Sequence, residues 1–172
     1  MPNWCSNQVT ITGPKPVIDE IKAICNSGEG NLLNWLVPRP SDQEENWYEW
    51  NVSNWGTKWD ISDITVTDDA EDDSISISFD TAWSPPLEAF RTWAQGDGRV
   101  TYRLEYWEGG MGFVGWDSYD GEYFDEEYID AENDQTGYRD MVAESWGYDD
   151  WEDTEPLTEW YTQGVEEKGL DK

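Results

Sequence analysis

Residues 74–81 alternate without a break: Ile75, Ile77 and Phe79 take one side and serines take the other. Period-two alternation marks a strand with one buried and one solvated face, and a slip of one residue would turn its whole apolar set to water. The chain must therefore supply a sheet covered on one side, the habit of antiparallel sheets. Pro85 and Pro86 end the segment, since proline cannot donate to a ladder. A partner strand is expected at 60–67, giving a hairpin whose solvated tip, 68–73, carries five acids in six residues.

The rest of the chain can be read against this hairpin. Residues 4–12 and 100–107 are rich in β-branched and aromatic types and read as strands. Val17, Ile18, Ile21, Ile24 and Cys25 recur at helical spacing, with Pro16 in the first turn and Gly28 at the end. A second helix is expected at 86–95, with Leu87, Phe90, Trp93 and Ala94 on one face and Gly96 closing it. Residues 32–37 are a short apolar segment stopped by Pro38 and Pro40, strand or helical turn. Residues 41–46 are a polar loop or a short helix opened by Ser41.

The order strand, helix, apolar segment, strand, strand, helix, strand predicts an α+β, ferredoxin-like antiparallel sheet with two helices on one face. Residues 113–119 and 122–128, joined at Asp120-Gly121, read as one more hairpin that extends the sheet. Beyond it a short helix at 138–146 could dock through Tyr138, Met141, Val142 and Trp146, with Gly147 ending it. The expected division is a ferredoxin-like domain at 1–129 and an acidic C-terminal extension at 130–172, frayed at its end.

Charge narrows the function. The chain has 39 acidic and 10 basic residues, a formal charge of −29, and no histidine. Residues 1–107 hold 18 acids and 7 bases, whereas the much shorter segment 108–172 holds 21 acids and 3 bases. Such a chain repels nucleic acid and anionic lipid and favours basic partners. Direct nucleic-acid binding is excluded for lack of a basic patch. Without histidine, a phosphate loop or a cysteine–histidine pair, no catalysis is expected. No cofactor and no metal site are expected either. The Met-Pro-Asn-Trp opening is not a secretory signal, and no apolar run reaches membrane-span length. Those features predict a cytoplasmic protein with Cys5 and Cys25 as buried free thiols.

A second feature competes with the charge. Residues 54–60 read Asn-Trp-Gly-Thr-Lys-Trp-Asp, and residues 81–86 read Thr-Ala-Trp-Ser-Pro-Pro. The hairpin would bring Trp59 and Trp83 together. Two readings stay open: a tryptophan-walled core with Lys58 lying across the indoles, or a ligand slot formed by Trp55, Lys58, Trp59 and Trp83.

Asn-Trp-Cys-Ser-Asn near the start, the two tryptophan stretches, and Gly-Met-Gly-Phe-Val-Gly at 110–115 together resemble the YubB-type ferredoxin-like family of phage and plasmid proteins. The similarity spans about residues 1–129. It implies a ferredoxin-like fold without an iron–sulfur cluster, carried on a mobile element. The family is a domain of unknown function, so it implies no activity and assigns no residue a role.

Together these features lead to the expectation of a non-catalytic phage-type protein that inhibits a host DNA-binding or defence protein through a DNA-mimicking acidic surface. Strand residues rise about 3.3 Å each, close to the 3.4 Å rise per nucleotide along one DNA strand. The candidate phosphate mimics on the second hairpin are Asp117, Asp120, Glu122, Asp125, Glu126, Glu127 and Asp130. Further along they are Asp149, Asp150, Glu152 and Asp153. The partner would be a basic host protein, a nuclease or restriction component, met in the host cytoplasm. The alternative is a module that retains a small ligand or nucleotide in the tryptophan slot.

Overall fold

The computed structural model describes residues 2–61, 63–68 and 70–148. Six strands form one sheet: β1 (Trp4–Thr12), β2 (Ile64–Asp68), β3 (Ser74–Ala82), β4 (Thr101–Glu108), β5 (Phe113–Tyr119) and β6 (Phe124–Asp130). Their order across the sheet is β2-β3-β1-β4-β5-β6, with every neighbouring pair antiparallel. The first four strands have the ferredoxin-like order, and the predicted second hairpin extends the sheet beyond β4. Ile75, Ile77 and Phe79 of β3 are buried and the serines between them are half-buried, as the alternation requires.

Helices α1 (Lys15–Ser27) and α4 (Leu87–Asp97) follow β1 and β3. Ile18 and Ile21 of α1 pack with Phe90 and Ala94 of α4 against Val9, Ile11, Ile77 and Leu104 in one continuous core. Helix α4 runs through Gly96 and stops at Gly98, whose φ of 67° makes it the left-handed cap. The short apolar segment is a helix, α2 (Leu32–Leu36).

Two expectations change around it. Residues 47–55 form a helix, α3 (Trp47–Trp55), that the sequence hides because its aromatics show no single helical face. The strand expected from residue 60 begins only at Ile64. Asp60 is held elsewhere: its carboxylate accepts the N–H groups of Leu33 at 2.8 Å and Asn34 at 2.9 Å, satisfying two orphan donors at the start of α2. Burial nevertheless raises its pKa, against the lowering effect of those bonds.

A fifth helix, α5 (Gln135–Trp146), lies on the opposite face of the sheet. Asp134 caps it by accepting Gly137 N–H at 2.9 Å, and Gly147 ends it at a φ of 65°. Tyr138 and Val142 are buried against Val114, with Met141 and Trp146 beside them. Trp107 Nε1 donates to the Tyr138 hydroxyl at 2.7 Å. Val114 alternates with Phe113 and Gly115, so α5 covers the side of β5 turned away from α4. No helix of the described residues is long and apolar enough to cross a membrane.

Cys5 and Cys25 are free and buried. Burial pushes the Cys25 thiol up to about 11, and the Cys5 thiol far above its ordinary value. Neither thiol should react with a water-soluble disulfide reagent at about pH 8 until denaturant is added, because the thiolate is the nucleophile. Rapid reaction of the native protein would contradict this burial.

Candidate functional site

The acidic hairpin occupies one edge of the sheet. Strand β6 is exposed over Phe124–Tyr128 and only partly covered at Ile129 and Asp130. Asp120 shapes its turn by accepting the N–H groups of Glu122 at 2.8 Å and Tyr123 at 2.7 Å. Those two bonds, Tyr123 first, hold the Asp120 carboxyl below its ordinary range. Asp130 accepts Glu132 N–H at 2.7 Å and steadies the far end.

Pairing register sorts the other acids. Trp116 faces Glu127 and Ser118 faces Asp125, so these two carboxylates share the α5 side of the sheet. Trp116 Nε1 donates to Glu127 at 3.1 Å. Glu126 lies opposite Asp117 on the α4 side, where it pairs with Arg91. Carboxylates on one face are therefore two residues apart, about 6.6–6.8 Å. That matches the rise of two nucleotides, not one, which corrects the residue-per-nucleotide match expected for consecutive strand acids.

Asp117 is not on the acidic surface. Its side chain is fully buried. Arg91 Nε donates to it at 3.0 Å, and its other oxygen accepts the Tyr102 hydroxyl. The physical reason is alternation: Asp117 falls in the same row as Phe113, Gly115 and Tyr119, which faces α4. Asp149, Asp150, Glu152 and Asp153 lie outside the described residues.

The two tryptophan stretches do meet, but not through Trp59 and Trp83. Thr57 Oγ1 donates to the Ala82 carbonyl at 2.9 Å, and Ser84 Oγ donates to the Gly56 carbonyl at 2.6 Å. Gly56 has a φ of 85°, and a Cβ there would lie 3.1 Å from the Pro85 carbonyl oxygen. Trp59 instead packs near Trp4, at 6.3 Å between centroids. The Trp83 N–H donates to the Asn3 carbonyl at 2.9 Å, and Trp83 itself has a positive φ of 74°. Trp55 is core: it is 2 % exposed, and its Nε1 donates to the Val37 carbonyl at 2.9 Å. Lys58 Nζ sits 4.3 Å from the Trp59 ring centroid and 5.8 Å from that of Tyr48, an arrangement that matches the packing reading.

An aromatic cavity of about 450 Å³ does exist here, with different walls. Trp47, Trp55 and Trp59 line it with Asn31, Asn34, Asn51, Arg39 and Asp60. Its cation is Arg39; neither Lys58 nor Trp83 contributes. Arg39 Nη1 donates to Asn51 Oδ1 at 2.9 Å, and Asn51 in turn donates to the Lys58 carbonyl at 2.9 Å. Much of the polar lining is thus committed to holding α2, α3 and the following loop together. Arg39 and Trp47 were missed because no local motif joins them to residues 54–60.

A family model described as the ferredoxin-like domain in Api92-like protein matches residues 54–153. Among solved structures, the protein Api92 from Yersinia pseudotuberculosis is similar at a TM-score of 0.55 and 11 % identity. The match covers 75 % of this chain and 98 % of that one, and at this identity it speaks for the fold alone. No curated protein matches the chain. With more than half of its length matched by the family model, the chain belongs to the family of ferredoxin-like domains of Api92-like proteins.

Proposed function

We propose that the chain is a non-catalytic inhibitor that engages a basic, DNA-binding host protein through the acidic β5–β6 edge. The observation that carries this reading is the edge itself: Glu122, Asp125, Glu126 and Glu127 are exposed together with Tyr123 and Tyr128. Exposed tyrosines beside carboxylates suit a protein interface better than a merely solubilising surface, since aromatics are enriched at contact centres. The same acids oppose pairing of β6 with a second β6, because like charges facing each other destabilise a strand pair. The resemblance to YubB-type proteins of phages and plasmids directs the proposal toward a host restriction or other defence nuclease.

The test uses competition. A captured nuclease should be retained at about 0.1 M salt and released at about 1 M, where the screening length shrinks to about 3 Å. Excess duplex DNA should also displace it. The triple variant Glu122→Gln, Asp125→Asn, Glu127→Gln should lose capture while keeping its circular dichroism. Retention in the presence of DNA, or by the triple variant, would exclude DNA mimicry by this edge.

A further inference from the structure

A second cavity, of about 510 Å³, lies on the open face of the sheet, away from the β6 edge. The register places Ser6 opposite Asp80, and Gln8 and Thr65 opposite Ser78. These side chains form a polar floor, with Asp63 beside it. Trp4 of β1 and Trp146 at the end of α5 also line it. The lining contains two carboxylates, Asp63 and Asp80, and no lysine or arginine. Ser6 Oγ donates to Asp80 Oδ1 at 2.9 Å, which orients that carboxylate. Trp4 is 52 % exposed, although its ring lies near Trp59.

We infer that this cavity binds an organic cation, an alkylammonium or guanidinium group held between indole and carboxylate. Indole faces attract cations, as aromatic cages for quaternary ammonium groups show, and a nearby carboxylate adds Coulomb attraction. The same face of the sheet already holds one internally: the Arg103 guanidinium lies 4.3 Å from the Trp116 ring centroid and pairs with Glu105 at 3.1 Å. Glu105 stands opposite Gln8, so this internal example adjoins the cavity floor. The aromatic cavity near Trp55 differs, because Arg39 supplies its own cation. A divalent metal is a poorer occupant, since calcium takes six to eight oxygens. Among the described residues no cluster of three or more metal-ligating side chains occurs. The net charge of −29 raises the local concentration of any cation near the site.

The proposal concerns a different surface from the acidic edge and does not rest on it. The full chain would be titrated with a blocked arginine amide, with its neutral citrulline counterpart and with spermidine. Indole N–H resonances would be followed by NMR at about 0.15 M salt, where diffuse charge effects are screened beyond about 8 Å. Saturable shifts are expected for the arginine probe and spermidine but not for citrulline. Trp4→Ala should weaken binding about fivefold, the upper end for a cation–aromatic contact at an exposed site, and Asp80→Asn should weaken it as well. The edge variant Glu122→Gln, Asp125→Asn, Glu127→Gln should leave it unchanged. Equal binding of citrulline, shifts that never saturate, or indifference to both cavity variants would overturn the inference. An Ala-Arg-Ala peptide separates the sources: tighter binding than spermidine assigns a protein side chain, and the reverse assigns a free polyamine.

Discussion

Replacing Arg91 with leucine should destabilise the protein by about 3 kcal/mol, the low end for breaking a buried ion pair by removing one partner. Arg91 is 30 % exposed, but its partner Asp117 is fully buried, so the loss leaves a carboxylate stranded under α4. Tyr102 would still donate to it. Burial, followed by its bond to Asp117, pushes the Tyr102 phenol far above its ordinary pKa, so it stays a protonated donor at any pH of interest. The double variant Arg91→Leu, Asp117→Leu should recover much of the loss, because replacing both members of a buried pair by apolar groups can be neutral. Urea unfolding measures both. A shift below about 1 kcal/mol for Arg91→Leu would place the pair among ordinary surface bridges. Glu126 would also lose its partner, so the α4 side of the acidic edge would become more negative and less fixed.

Gly115→Ala should be comparably damaging for a steric reason. A Cβ there would lie 2.3 Å from the Glu127 carbonyl oxygen and 2.5 Å from the Tyr106 hydroxyl. One neighbour is backbone and the other belongs to a buried side chain, so neither yields cheaply. Overpacking of this kind costs about 1–3 kcal/mol. The expected result is local: amide protection should fall along β6 while β1, β3 and β4 keep theirs, since those strands sit centrally in the sheet. Hydrogen exchange reads this directly. The acidic edge would then lose its fixed two-residue spacing, so partner capture should weaken even though every carboxylate is present. Unchanged β6 protection would show that the strand pair can open enough to admit a methyl group.

Much of the fold was legible locally. Alternation at Ile75, Ile77 and Phe79 defined the buried face of β3. The apolar stripe ending at Gly28 defined α1, and Tyr138, Met141, Val142 and Trp146 docked α5 as their spacing predicts. The candidate sites were less legible. A tryptophan reads the same in sequence whether it ends up almost fully buried, like Trp55, or half exposed, like Trp4. The helix α3 that buries Trp55 has no clean amphipathic period to announce it.

Composition and periodicity by themselves determined the α+β class, the ferredoxin-like order of its strands and helices, and the concentration of acid toward the C-terminal half. These are properties of single residues and of nearest neighbours along the chain, which physics reads at short range. Tertiary structure alone decided that Arg91 of α4 meets the buried Asp117 and reaches Glu126 across the hairpin. It also decided that Arg39 rather than Lys58 lines the aromatic cavity, and that Trp4 and Trp146 come to line one pocket across the open sheet face. Those outcomes depend on which strand faces which and on groups more than a hundred residues apart, such as Trp4 and Trp146, and no local pattern encodes them.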